Sequence, residues 1–359
     1  MDKALQGLMG EANMSFAKGQ HEDAIKTCME VIRLAPNAPE PFRTLGMIHE
    51  EMGDVKKCLQ FSLIAVHLSP GDPEEWAKLA EMSVELDDPK QAVICYGKAL
   101  RCDPTNVSLH LKKCRLLERV GERKKALDGY QGVLKLLPAD EGDRYMMMAR
   151  DLAKGYHDLG SLDKAEETLS AAFLAHPDLI SSEDVNMLAE IQIHLKEYEK
   201  VLKTLAKYCG VDALTDGGER IDFDAVDGDD DDFDPSVIEM CLVPDDLPID
   251  LRVKLAICLI FLESTAPPFA VVEKILDESP EEMGDLYLDL ADAFSEMGKY
   301  EMANTFLSKL VHSVKYNLAA VWLRYAECLN AVGDLTASVE AYRYVFSRHC
   351  RFSSRIPYI

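Results

Sequence analysis

Carboxylates are the chemically capable residues that crowd most closely in this chain. The stretch "DAVDGDDDDFDP", residues 224–235, holds seven aspartates in twelve positions. Acids at that density suit a divalent cation or a general acid–base pair. A helix–loop–helix calcium site needs acids at the first, third and fifth loop positions, a glycine at the sixth and a glutamate at the twelfth. A frame opened at Asp222 reaches Asp224 and then Val226, with Gly228 one place late. A frame opened at Asp227 reaches Asp229 and Asp231 but puts Asp232 where the glycine belongs. Neither frame builds the loop. Catalytic carboxylates need a rigid, partly dry cleft, whereas a run of like charges repels itself and is expected to stay extended and solvated.

Other reactive residues are scattered without pattern. The nine histidines form no His-Glu-x-x-His, and there is neither a Gly-x-x-x-x-Gly-Lys loop nor a Gly-x-Ser-x-Gly elbow. None of the ten cysteines stands in a Cys-x-x-Cys pair, which argues against a zinc framework and for a reducing compartment. Cys28, Cys58, Cys95 and Cys114 read as buried small hydrophobes, and the Met-rich "YMMMAR" as helix core. The expectation is therefore no catalytic residue, no cofactor, no metal and no small-molecule substrate: the chain is not read as an enzyme. The opening "MDKALQGLMG" has no basic start followed by an apolar run, so no signal peptide is expected. The longest apolar run, "LAICLIFL" at 255–262, is too short to cross a bilayer and reads as a buried helix face, so no membrane partner is expected.

Charge narrows the partners. The formal net charge is −24, and residues 211–250, with 15 acids and only Arg220 as a base, supply −14 of it. Nucleic-acid affinity rests largely on Lys and Arg against phosphates. DNA is thus expected only indirectly, and basic proteins are favoured as partners.

The elements that would hold any binding residues come from a repeat. Pro36, Pro70, Pro104 and Pro138 fall at intervals of 34. Gly19, Gly53 and Gly121 stand seventeen residues before their prolines, with Asp87 in the third window. Ala24, Ala92 and Ala126 stand twelve before, with Cys58 in the second window; Tyr96 and Tyr130 stand eight before; Trp76 takes the fourth place of its window. This is the tetratricopeptide pattern. The glycine caps the first helix in a left-handed turn, the small residue lets two antiparallel helices cross closely, and the proline stops the second helix. A fifth unit follows after a five-residue insertion, with Tyr156, Gly160, Ala165 and Pro177 as markers; a sixth puts Val201 at the crossing. Beyond the acidic segment helices resume at "DLRVKLAICLIFLES", Pro268 starts a helix, and clear units carry Ala291, Gly298 and Ala303, then Trp322, Ala326, Gly333 and Tyr342. The expected fold is all-α: a tetratricopeptide-repeat superhelix, an α-solenoid, in two arrays joined by a disordered acidic linker. The first array takes residues 1–210 as six helix pairs, the linker 211–248, and the start of a second array 249–352 as about three pairs, followed by a non-repeat tail at 353–359.

Such arrays bind along the first helix of each pair. Window positions five, nine and twelve give Met9, Asn13 and Phe16; Arg43, Met47 and Glu50; Ala77, Glu81 and Val84; Leu111, Arg115 and Glu118; Arg150, Lys154 and His157. The candidate partner-binding residues are Asn13, Arg43, Met47, Arg115, Arg150 and Lys154, with Arg115, Arg150 and Lys154 forming a basic strip on which the acidic linker is expected to lie. A carboxylate clamp for peptide tails would fall on Met9, Asn13, Thr44, Glu74 and Lys78; only two of these five have the required type, and Glu74 has the wrong sign. Ser236, with an acid three residues on, suits an acid-directed phosphate.

Particular phrases go beyond the generic repeat. "GLMGEANMSFAKGQHEDAIKTCMEVIRLAPNAPEPFRTLGMIHEEMGD", "SPGDPEEWAKLAEMS", "PTNV", "EEMGDLYLDLADAF" and "YNLAAVWLRYAECL" together resemble the tetratricopeptide-repeat third subunit of general transcription factor IIIC, across residues 1–346. The resemblance implies a nuclear, non-enzymatic scaffold of the RNA polymerase III machinery. It implies contacts with other factor IIIC subunits, recruitment of factor IIIB through its TFIIB-related and SANT-domain subunits to transfer-RNA-type promoters, and placement of RNA polymerase III. Members of that family carry an acidic N-terminal extension and further repeats, whereas this chain begins at the first repeat and leaves the pattern near Cys350, so a shortened product is expected. The competing expectation is a co-chaperone or complex-assembly adaptor that binds peptide tails.

Overall fold

Capping chemistry divides the chain into helices. In the computed structural model, residues 3–69, 72–223 and 235–353 are described. They form two compact units, Met1–Gly160 and Ser161–Ile359. The first contains α1 (Lys3–Ala17), α2 (His21–Leu34), α3 (Pro39–Glu51), α4 (Val55–Leu68), α5 (Pro73–Glu85), α6 (Pro89–Cys102), α7 (Val107–Val120), α8 (Arg123–Leu134) and α9 (Gly142–Asp158). The second contains α10 (Leu162–Ala175), α11 (Ser182–His194), α12 (Tyr198–Cys209), β1 (Asp212–Leu214), β2 (Met240–Leu242), α13 (Ile249–Phe261), α14 (Pro268–Val272), α15 (Pro280–Glu296), α16 (Tyr300–Val311), α17 (Ala319–Val332) and α18 (Leu335–Ser353). Helix starts are marked by side chains that accept an otherwise orphaned amide. Asp54 takes Lys57 N at 3.1 Å, Asp88 takes Gln91 N at 3.0 Å and Asn106 takes Leu109 N at 3.1 Å. Ser181 and Asp184 make a reciprocal capping box. Pro39, Pro73 and Pro89 sit at first-turn positions where no donor is needed.

The repeat columns occupy the places their chemistry requires. Ala24, Ala92, Ala126, Ala165 and Ala303 are fully buried, as is Val201. Trp76 and Tyr96 share one buried cluster with Leu79, Cys95 and Leu109. Tyr130 is half-buried. Pro36 and Pro104 lie two residues past the ends of α2 and α6, and Pro138 lies beyond α8; Pro70 is outside the described residues. Gly121 ends α7 at φ 87°, and Asp87 adopts the same left-handed conformation at φ 57°. In the second unit Trp322 is half-buried against Tyr344, 4.3 Å away, and both share the Asn317 amide oxygen as acceptor.

The compact units part at Gly160 and Ser161, whereas the repeat arrays drawn from sequence part at 210 and 211. The segment 211–248, expected to be disordered throughout, is folded at both ends. β1 and β2 pair antiparallel, Ala213 opposite Cys241, and Ile221 N donates to Ala213 O at 2.9 Å. Val211, Ala213, Phe223, Ile238 and Leu247 are buried. The Ile238 carbonyl accepts from Ser264 Oγ, Thr265 Oγ1 and Ala266 N. The physical reason is that an acid count over the whole segment says nothing of the apolar residues at its two ends. Seven of the 15 acids stand at 224–234, outside the described residues. Packing also runs on across the segment in sequence: α12 contacts α13, with Tyr198 stacked on Phe261 at 4.6 Å. The partner of α13 is shorter than a full second helix, since α14 passes into a 3-10 turn at Glu273–Asp277. Of the expected tail, Ser353 belongs to α18, and 354–359 lie outside the described residues.

Close helix approaches generate a stability prediction. A Cβ on Gly284 in α15 would stand 2.1 Å from the buried Tyr316 ring. A Cβ on Gly10, exposed in α1, meets nothing within 4 Å. Gly284→Ala is expected to destabilise by about 2 kcal/mol or more through overpacking. Gly10→Ala is expected to stabilise by about 0.5–1 kcal/mol by restricting the unfolded chain. Urea unfolding of both variants beside the parent checks the opposite signs.

Candidate partner-binding surface

The exposed face of α3 follows from its buried one. Phe42, Leu45, Ile48 and His49 face inward, which leaves Arg43, Met47 and Glu50 outward on one helical stripe. The matching stripe of α5 carries Glu75, Lys78, Glu81 and Met82. Arg43 pairs with Glu75 at 3.4 Å, Lys78 with Glu50 at 3.0 Å, and Lys112 on α7 with Glu81 at 2.8 Å. Successive first helices are thus laced by ion pairs of both polarities. Arg43 also donates to Ser69 Oγ at 3.0 Å. Between α3, α4 and α5 lies a cavity of about 230 Å³, lined by Arg43, Met47, Glu50, Glu75, Lys78 and Met82 among others. A second, of about 280 Å³, shares Glu50, Lys78 and Met82 with it and reaches Glu81 and Glu85.

The candidate residues have unequal fates. Arg43 and Met47 come together in the first cavity. Asn13 is exposed on α1, and its amide oxygen accepts from the buried Thr44 hydroxyl at 3.1 Å. Arg115 is exposed on α7; on α9 Lys154 is exposed and Arg150 half-buried. Met9, placed in the groove from its window position, is only 6% exposed and belongs to the core. The charge of Arg43 is taken up by Glu75. Lys78, seen in the sequence only as a clamp position, is bound to Glu50. Glu75 escaped the window count altogether. The signal was available: Glu50 and Lys78, Glu81 and Lys112, and Arg43 and Glu75 are opposite charges 28, 31 and 32 residues apart, close to one repeat.

Electrostatics and burial leave little reactive chemistry. The Glu81 hydrogen bond holds Lys112 above its usual range. Burial pushes Tyr130 up to about 12, with Glu118 adding to it. His49, stacked on Phe61, is lowered by burial and then by Lys57. Burial raises the thiols of Cys28 and Cys114 to about 11, and that of Cys258 further. No cluster of three metal-ligating side chains occurs among the described residues, and no helix there is long and apolar enough to cross a membrane. This face presents methionine surface flanked by both signs of charge.

Over 342 residues, 95% of its length, the chain is 45% identical to General transcription factor 3C polypeptide 3 of Homo sapiens. The chain thus resembles a general transcription factor subunit over nearly its whole length. It is also 21% identical over 407 residues to the Transcription factor tau 131 kDa subunit of Saccharomyces cerevisiae, again along 95% of its length. The chain spans 38% and 39% of these two relatives. Among solved structures, one of Naa15/Naa10 bound to HypK-THB matches 97% of this chain and 55% of that one, at 15% identity and a TM-score of 0.43. No protein-family model matches.

Two outcomes follow for this chain. Because raised thiols stay protonated at neutral pH, Cys28, Cys114 and Cys258 are expected to react with a disulfide reagent at pH 7–8 only after denaturation, as mapped by mass spectrometry. The Arg43–Glu75 pair is about half exposed on both sides, so Arg43→Ala is expected to change unfolding free energy by less than about 1 kcal/mol. That makes Arg43 usable for binding assays without loss of the fold.

Proposed function

We propose that this chain is a non-enzymatic assembly platform of the RNA polymerase III transcription factor IIIC complex. The observation that carries the reading is the laced groove on α3, α5 and α7: contiguous cavities, exposed methionine and paired charges. A groove of this kind suits protein segments rather than a small substrate. Relatives that carry the names of transcription factor subunits support a role in transcription, and with it a nuclear location and partners among the other subunits of factor IIIC.

The finer reading is recruitment of factor IIIB, through its TFIIB-related and SANT-domain subunits, to transfer-RNA-type promoters, which in turn places RNA polymerase III. An acidic chain that leaves DNA to its partners fits that division of labour. The peptide-tail adaptor draws no support from its clamp positions: Met9 is buried, Thr44 is spent on Asn13, and Lys78 is spent on Glu50.

Capture of purified TFIIB-related and SANT-domain subunits on the immobilised chain tests the reading. Wild-type chain is expected to retain at least one of them, and the Arg43→Glu, Lys78→Glu double variant to bind about tenfold more weakly. Absence of capture by the wild-type chain sinks the recruitment reading. Unchanged capture by the double variant moves it off this groove.

A further inference from the structure

A cavity of about 530 Å³ opens in the Ser161–Ile359 unit, between α10, α12 and residues 211–223. Its size falls in the ~300–1,000 Å³ span of pockets that enclose a ligand. The floor is apolar: the Phe173 and Tyr208 rings meet edge-on at 5.2 Å, above Leu188, Val211 and Phe223. Leu174, in the lining, is 73% exposed. Lys203 and Lys207 reach the cavity from one face of α12, a turn apart, and Arg220 reaches it from the loop after β1. The Lys207 ammonium stands 5.8 Å from the Tyr208 ring. Arg220 pairs with Asp212, and Asp222 is the other acid in the lining. The cavity therefore carries a cationic excess in a chain whose net charge is −24.

Aromatic floor and lysine rim call for two features in one ligand. A bulky apolar side chain is needed to cover Phe173, Leu174 and Tyr208. An anionic group beside it is needed to meet the net positive rim, where Lys207 stands near the Tyr208 ring. A long polyanion such as nucleic acid meets the rim but also Asp212 and Asp222 in the lining. We propose that this cleft docks an acidic peptide segment of a partner protein, anchored by one large apolar residue. The cleft lies in a different unit from the α3–α5–α7 groove, so its failure leaves the platform reading untouched.

Fluorescence anisotropy of a fluorescein-labelled peptide, Asp-Asp-Phe-Asp-Asp, titrated with the full chain tests this. Saturable binding is expected, weakened about tenfold or more by Lys203→Glu with Lys207→Glu. A similar loss is expected from Leu174→Asp, an exposed position where the fold is not at risk, and from a peptide with alanine in place of phenylalanine. Arg43→Glu is expected to bind like wild type. The proposal is overturned by no saturable binding to the wild-type chain, or by unchanged affinity in the lysine and Leu174 variants. A single-stranded oligonucleotide binding as tightly as the peptide also overturns it. So does binding that emerges only once 224–234 is replaced by a glycine–serine segment, which would assign the cleft to the chain's own acidic stretch.

Discussion

Close contact between helix backbones is the constraint on which the rest of this structure depends. A single amphipathic helix pair leaves one face uncovered, and only stacking buries it. Stacking needs small residues where backbones approach, and the chain supplies them repeatedly. Ala24, Ala92, Ala126 and Ala303 are sealed from solvent. Glycine does the same where even a methyl would collide: on Gly129 a Cβ would stand 2.5 Å from Cys114 Sγ, and on Gly155 it would stand 2.6 Å from Leu127. These contacts set the spacing of the first helices. That spacing lets Glu50 reach Lys78, and Glu81 reach Lys112, so the groove's electrostatics are a consequence of packing inside it.

Much of this was legible because a repeat states each rule several times. Prolines at intervals of 34 and the glycines before them locate the turns without any appeal to propensity. Where a column departs, the conformation holds: Asp87 occupies the glycine place at φ 57° and Lys196 does so in the sixth unit at φ 62°. Left-handed backbone at a non-glycine residue costs roughly 1–2 kcal/mol, which neighbouring contacts in the stack offset. The ends of the acidic segment were not legible. Strands as short as β1 and β2 give no periodicity to read, and their stability comes from distant groups such as Ser264 and Ala266.

The candidate site was only half legible for a related reason. Helical spacing correctly sets Arg43 and Met47 on an exposed face, since that depends on local geometry alone. Spacing cannot say which charges are already partnered. Arg43 looks like a free cation in sequence and is half of an ion pair in the fold. Met9 shows the converse failure: its window position is right, but on the first helix of the chain that position turns into the core. Net charge misleads in the same manner, because −24 describes the whole chain while α12 presents two lysines to one cleft.

The helix that follows the acidic segment shows how such a sequence stays folded. Ten consecutive residues of α13, Leu251 to Ile260, are buried, so no face remains for solvent. Two of them are cations, Arg252 and Lys254, at 6% and 7% exposure. Uncompensated, charges that deep would cost several kcal/mol each. Arg252 instead donates to the Leu247 carbonyl at 3.1 Å and to that of Pro244, while Lys254 pairs with Glu190 on α11. The guanidinium thus fastens the last turn of the acidic segment to the helix after it, and the ammonium fastens that helix to α11. Charge that a composition count assigns to the surface is here the means by which α11, α13 and the residues between them are held in one core.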